Sequence, residues 1–189
     1  MLRRFILALI AALSLGRIAA AQETQVTQTE PALTPENTLV LELSTGGRVT
    51  IQMRPDKAPK HVAQIKTMVR QGFYDGTVFH RVIEGFMAQG GDPTGTGMGG
   101  SKLPNIKAEF NDLPHLRGTV SMARASDPDS ANSQFFICFD RSNFLDGQYT
   151  AWGRVVQGMD AVDQIARGEP PAEPTRIVHA TIAADASAK

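Results

Sequence analysis

The sequence has few of the residues on which several common kinds of site depend. It holds one cysteine among 189 residues, so neither an intramolecular disulfide nor a cysteine-rich metal site can form. Its 19 basic and 19 acidic residues balance, which argues against a protein that binds nucleic acid through a basic face. Hydrophobic residues at 42% and charged residues at 20% are instead typical of a globular protein with an ordinary core.

The N-terminus carries the one extended apolar stretch. Residues 1–21 combine two early arginines, an apolar run at 5–15 and three alanines at 19–21, the pattern of a secretory signal peptide. The run is shorter than the about 20 residues of a membrane span, so we expect no stable membrane insertion. We expect cleavage after Ala21 and export to a bacterial periplasm, with secretion as the alternative. Cleavage would leave 16 basic and 19 acidic residues.

The rest of the chain is predicted to form a leader, one domain and a tail. Residues 22–38 are rich in Thr, Gln and Pro and poor in aliphatic side chains, which predicts a flexible leader. Residues 39–184 are expected to form a single domain, because short apolar runs separated by turns continue throughout them. Residues 185–189 remain as a C-terminal tail.

Two hydrophobic periodicities predict a mainly β domain. Residues 39–43 and 48–53 flank a Gly-Gly turn, and the second segment alternates polar and apolar side chains, as strands do. Residues 58–71 repeat apolar side chains every three or four positions, which predicts a helix, and 158–167 fit a second one. Many short strands with two separated helices predict a closed or nearly closed β-barrel capped by helices. The remaining candidate strands lie at 78–83, 118–122, 135–139, 149–156 and 177–183.

The motifs for cofactor, metal or covalent chemistry are incomplete. The glycines at 95–100 match a dinucleotide spacing, but no strand precedes them and Pro104 prevents a following helix. Asp127 and Asp129 lack the glycine and glutamate of a calcium loop, and the four histidines are widely scattered. Cys138 lies in an apolar run, where we expect a buried, inert thiol. We therefore expect neither a metal nor a cofactor.

Some large apolar residues lie where the sequence does not alternate like a strand. Phe86-Met87 and Phe144-Leu145 stand beside Gly, Gln and Asp. Large apolar side chains on loops can form a pocket wall, whereas an aromatic layer of the core is the alternative. The pattern alone does not choose between them.

Three segments together form a specific pattern: FHRVIEGFMAQGGD at 79–92, NSQFFIC at 132–138 and FLDG at 144–147. With them, the sequence closely resembles the cyclophilins, the barrel-type peptidyl-prolyl cis-trans isomerases. The resemblance extends from about Leu39 to Ala183. It implies a closed eight-stranded antiparallel β-barrel capped by two α-helices. It also implies an enzyme that accelerates rotation about Xaa-Pro bonds in protein substrates and so assists their folding.

The resemblance also implies the roles of individual residues. Arg81 falls on the catalytic arginine, which donates to the proline nitrogen, and Gln89 on the glutamine that holds the substrate backbone. Phe144 and Tyr149 stand where many members carry tryptophan and histidine, so we expect catalysis to survive and cyclosporin binding to be weak. The other implied positions are the walls of the proline pocket, Phe86, Met87, Phe136 and Leu145, and the further substrate contacts, Ala123, Arg124 and Gln134.

Such a site suits the chemistry of the peptide bond. Resonance gives that bond a rotational barrier of about 18–20 kcal/mol, and a donor aimed at the proline nitrogen stabilises the twisted state selectively. We expect a monomer whose partners are proline-containing peptides and unfolded or folding proteins. Two alternatives stay open: a module that binds proline-containing segments without turnover, and a barrel that carries small apolar ligands.

Overall fold

The computed structural model describes residues 33–186. The predicted signal peptide, most of the predicted leader and the last three residues lie outside this range. Within it, no helix is long and apolar enough to cross a membrane. The helices and strands are β1 (Thr38–Leu43), β2 (Arg48–Met53), α1 (Pro59–Arg70), β3 (Arg81–Ile83), β4 (Met87–Gly90), β5 (Thr119–Met122), β6 (Phe135–Cys138), β7 (Ala151–Gln157), α2 (Met159–Asp163), β8 (Ile177–Ile182) and α3 (Ala183–Ala186).

The eight strands form one sheet, which curls into a half-barrel. Their order is β3-β4-β6-β5-β7-β2-β1-β8, and every strand pair is antiparallel. The prediction of eight antiparallel strands is confirmed, but the prediction of a closed barrel is wrong. Strand β3 has three residues, and its open edge meets a loop at Gly168 rather than strand β8. Further along, an isolated bridge joins Val78 and Arg176, and the N–H of Gly76 donates to the Ile177 carbonyl at 2.7 Å.

Helix α1 forms where the apolar spacing predicts it. Pro59 occupies the first turn, where its missing N–H costs no hydrogen bond. The N–H groups of Lys60 and His61 donate to the Glu109 carboxylate at 3.0–3.1 Å, which satisfies two of the unpaired donors at the helix start. Gly72, with φ of +67°, follows the helix end. The apolar residues Val62, Ile65, Met68 and Val69 are buried.

Helix α2 is shorter than predicted. It ends at Asp163 instead of 167. The guanidinium of Arg167 turns back to donate to the Asp163 carbonyl at 2.8 Å, and the N–H of Ala166 donates to the Thr175 hydroxyl at 3.1 Å. Because side chains bond to the Asp163 carbonyl and to the Ala166 N–H, the regular backbone hydrogen bonds of the helix stop there, after about one and a half turns.

The end of the predicted leader lies against α1. Pro35–Asn37 forms a 3₁₀ turn directly before β1. Glu36 in this turn pairs with Lys66 at 3.0 Å and with Arg70 at 2.9 Å. Asp185 of α3 pairs with the same Arg70 at 2.9 Å. Both ends of the described chain are therefore attached to α1 through Arg70.

Side chains fill the interior of the curled sheet. Trp152, Phe135 and Tyr74 are at most 2% exposed. Phe135 packs edge-on against Tyr74 and Trp152, with ring centroids 5.7 and 6.1 Å apart, respectively. These packed rings occupy space inside the curled sheet that a carrier of small apolar ligands would need for its ligand.

Candidate functional site

A row of side chains crosses three neighbouring strands. Arg81 of β3 stands opposite Gln89 of β4, and Gln89 stands opposite Phe136 of β6. Facing residues in antiparallel strands lie about 4.5–5.5 Å apart, so residues distant in sequence become neighbours. Strand β4 was not predicted, because Met87–Gly90 is too short and too rich in Ala and Gly to alternate clearly.

The two faces of strand β6 belong to different apolar clusters. Along β6, Phe135 and Ile137 join the main core, whereas Phe136 and Cys138 belong to a separate apolar cluster with Met87 and Leu145. Successive side chains on a strand point to opposite faces, which explains the division. The second cluster forms the apolar base of a surface pocket.

A cavity of about 290 Å³ opens on this second cluster. Ten of the eleven residues predicted for the site line it, and Gln134 is the exception. The structure therefore favours the pocket interpretation of Phe86-Met87 and Phe144-Leu145. The lining residues are Arg81, Phe86, Met87, Gln89, Ala123, Arg124, Phe136, Phe144, Leu145 and Tyr149.

The walls of the cavity are aromatic and its base is apolar. Phe86 and Phe144 pack with ring centroids 5.5 Å apart, and Phe136 meets Tyr149 edge-on at 5.8 Å. Phe136 and Leu145 are at most 6% exposed, whereas Phe144 is 61% exposed. The pocket thus has a fixed apolar base and one accessible aromatic rim, which suits a small apolar ring such as proline.

The Arg81 guanidinium stands at the polar side of the cavity. Its Nε donates to an oxygen of Glu169 at 2.8 Å, and its side chain is 43% exposed. Glu169 was not predicted, since 88 residues separate it from Arg81 and it lies in a proline-rich segment without a motif.

Gln134 holds other parts of the site in place. Its carbonyl oxygen accepts from Gln89 Nε2 at 2.9 Å. Its own Nε2 donates to the carbonyls of Gly97 and Gly99 at 2.9 and 2.8 Å. Gln134 therefore connects Gln89 to the glycine-rich loop, and it lines a neighbouring cavity of about 550 Å³ instead.

The glycine-rich loop is built around Asp92, which is fully buried. Its carboxylate accepts the backbone N–H groups of Thr94, Thr96, Gly97 and Gly99 at 2.6–3.1 Å. Burial alone would raise the pKa of this carboxyl, but the N–H groups and the Thr94 hydroxyl outweigh burial and lower it to about 2. The loop is thus organised by one charge.

Arg124 lines both cavities, as Gln89 and Ala123 also do. Its guanidinium donates to the carbonyls of Ala125, Ser126 and Gln148 at 2.9–3.3 Å. It also lies 4.6 Å from the centre of the Tyr149 ring, a favourable cation–π distance. The side chain therefore supports the Tyr149 wall of the pocket.

His115 lies behind the pocket, and the sequence did not reveal its place there. Its ring stacks on Phe136 at 6.2 Å between centroids. Its nitrogens lie 2.9 Å from Asp146 Oδ1 and 3.0 Å from Ser121 Oγ. Burial lowers the pKa of His115, against the opposing effect of Asp146. Ser121 is completely buried, so this group supports Phe136 and does not form a hydrolytic triad.

Other reactive groups do not gather at the pocket. Among residues 33–186, no three His, Cys, Asp or Glu side chains could together hold a metal ion. Cys138 is buried, as predicted, and burial, with a smaller effect of Asp146, raises the pKa of its thiol to about 12. What remains at the pocket is two guanidinium groups, those of Arg81 and Arg124, beside apolar side chains. A guanidinium can donate hydrogen bonds but does not act as a nucleophile.

Comparison with known proteins identifies this arrangement. The family model described as cyclophilin type peptidyl-prolyl cis-trans isomerase/CLD matches residues 38–182. The chain belongs to the cyclophilin family. This cyclophilin is 52% identical to a probable peptidyl-prolyl cis-trans isomerase of Brucella suis, over 84% of this chain and 88% of that protein. It is 39% identical to a peptidyl-prolyl cis-trans isomerase of Schizosaccharomyces pombe, over 74% and 96%.

Solved structures agree with the family. A cyclophilin from Hirschia baltica matches with a TM-score of 0.75 and 35% identity, over 81% of this chain and 76% of that one. A cyclophilin from Cryptosporidium parvum, solved in the presence of the dipeptide Ala-Pro, matches with a TM-score of 0.71 and 29% identity. That match covers 77% of this cyclophilin and 98% of the other chain.

Proposed function

We propose that Arg81 and the adjoining pocket carry the peptidyl-prolyl cis-trans isomerase activity of this cyclophilin. The observation that supports this most is the placement of Arg81 in one row with Gln89 and Phe136, at the edge of a cavity whose base is apolar. The proline ring would lie against Phe136, Met87 and Leu145, and Gln89 would hold the substrate backbone.

In this mechanism the barrier falls because a hydrogen bond strengthens during rotation. As the bond twists, the nitrogen lone pair becomes localised and accepts from the Arg81 guanidinium. An interaction that is stronger in the transition state than in the ground state accelerates the reaction. Arginine suits this role because its planar guanidinium presents several donors and stays charged.

The first experiment compares wild type and Arg81→Ala in a protease-coupled assay on an Ala-Pro peptide. We expect a loss of about a hundredfold or more, the usual cost of removing one electrostatic donor from a transition state. Arg154→Ala is the matched control, since Arg154 is an exposed arginine of β7 outside the pocket. Full activity of Arg81→Ala would refute the mechanism. Tight peptide binding by an inactive wild type would support the binding module instead.

The partners follow from the same pocket. We propose unfolded or folding proteins with exposed proline as clients, weak cyclosporin binding because Phe144 and Tyr149 replace tryptophan and histidine, and a monomeric state. Light scattering of the purified protein tests the last point. Titration with cyclosporin tests the second, and nanomolar affinity would contradict it.

We also propose that the chain is exported to a bacterial periplasm. The pattern of residues 1–21 supports this, and one buried thiol suits an oxidising compartment, where a lone cysteine has no partner within its own chain. Fusion of residues 1–40 to alkaline phosphatase, which is active only after export, tests it, with the same fusion lacking residues 1–21 as control. We expect activity and a mature N-terminus at Gln22. An inactive, uncleaved fusion would contradict export.

A further inference from the structure

Glu169 is the one side-chain partner that the described residues provide for Arg81. The bond joins Arg81 Nε to Glu169 Oε2 at 2.8 Å. The two side chains are 43% and 51% exposed, and exposed ion pairs contribute little to stability. An unpaired arginine side chain at this exposure would sample many rotamers. The contact therefore matters more for the direction of the guanidinium than for the fold.

The loop that carries Glu169 is fixed relative to Arg81. Gly168 exchanges two backbone hydrogen bonds with Val82, the residue after Arg81, at 2.8 and 2.9 Å. On the other side, the guanidinium of Arg167 lies 4.1 Å from the centre of the Phe139 ring. Glu169 is thus attached to strand β3 through its neighbour, and its carboxylate reaches Arg81 from a defined side.

We infer that Glu169 is a positioning residue for Arg81, an inference that rests on the proposed function. By occupying Nε, the carboxylate fixes the plane of the guanidinium and leaves its two terminal amino groups for the substrate. Misorientation of a catalytic group lowers the rate of the chemical step even when binding is intact. Loss of Glu169 should therefore slow isomerisation of the bound peptide and leave peptide affinity nearly unchanged.

The test measures Glu169→Ala and Glu169→Gln by NMR exchange spectroscopy on an Ala-Pro peptide, which separates the rate on the enzyme from the affinity. We expect Glu169→Ala to lower the rate about fivefold, the scale of an exposed ion pair, with affinity within about twofold. Glu169→Gln should retain most of the rate, since its carbonyl oxygen still accepts from Nε. Asp185→Ala is the matched control, because Asp185 forms a similarly exposed pair with Arg70 and should leave the rate unchanged.

The double variant Arg81→Ala/Glu169→Ala completes the design. If Glu169 acts through Arg81, the second substitution has no further effect in the Arg81→Ala background. A wild-type rate in Glu169→Ala, an equal loss in Asp185→Ala, or an undiminished effect of Glu169→Ala without Arg81 would each overturn the inference while the proposed function stands. Full activity of Arg81→Ala would refute the proposed function itself and this inference with it.

Discussion

Replacing Asp92 by asparagine tests whether one charge organises the glycine-rich loop. The side chain is fully buried, and its two oxygens accept four backbone N–H groups. Asparagine has the same shape, but one of its ends is an amino group, which cannot accept. Whichever way the amide turns, some backbone donors of the loop lose their acceptor.

The pKa of Asp92 sets the magnitude. It falls from an ordinary value of 3.8 to about 2, and one pKa unit corresponds to about 1.4 kcal/mol. The charged carboxylate therefore stabilises the folded state by about 2 kcal/mol at neutral pH. Because the folded pKa is the lower one, this contribution is present above about pH 4 and is lost as the pH falls toward 2.

Urea unfolding of wild type and Asp92→Asn at pH 7 and at pH 2.5 measures this effect. We expect a difference of about 2 kcal/mol at pH 7 that shrinks at pH 2.5. Asp112→Asn is the control: Asp112 is 57% exposed and pairs with Lys57, so its substitution should change stability much less. A difference that is absent at pH 7, or equally large at both pH values, would refute the reasoning.

Two further predictions concern buried titratable groups. Burial raises the pKa of the Cys138 thiol to about 12. At pH 8 a thiol reagent should therefore label the folded protein about a thousandfold more slowly than the unfolded chain. Rapid labelling of the folded protein would contradict the burial of Cys138. Burial also lowers the pKa of His61, His80 and His115, so the unfolded chain takes up protons that the folded chain resists. The free energy of unfolding should therefore fall as the pH drops through about 6.5, and a rise on acidification in urea unfolding between pH 7.5 and 5.5 would be the opposite result.

The sequence predicted those elements whose periodicity is unbroken. Strands β1 and β2 and helix α1 follow their apolar spacing closely. Strand β4 was missed because the four residues Met-Ala-Gln-Gly are too few to show a period. The early end of α2 was missed because the Arg167 side chain, rather than a backbone N–H, donates to the Asp163 carbonyl. The closed barrel was wrong because closure depends on which segment faces the short edge strand β3, and that segment is the loop at Gly168.

The pocket residues were predictable through the family motifs, but their supports were not. Glu169 contacts Arg81 across 88 residues of chain, and His115 stacks on Phe136 from a different segment, and no local spacing marks such pairs. Gln134 lies in a motif, yet only the structure shows that its amide is bonded to Gln89 and to the loop carbonyls. Such long-range partners of functional residues can be identified only when the register of the sheet is known.

The alternation along β6 limits how this site can change. Phe135 and Ile137 fill the core, while Phe136 lines the pocket and Cys138 packs in the apolar cluster beneath it. Inserting or deleting one residue in the strand would exchange the two sets, so core and pocket would be lost together. New substrate preferences on this scaffold must therefore come from substitutions on the pocket face of β6 or from changes in the loops, with the length of β6 held constant.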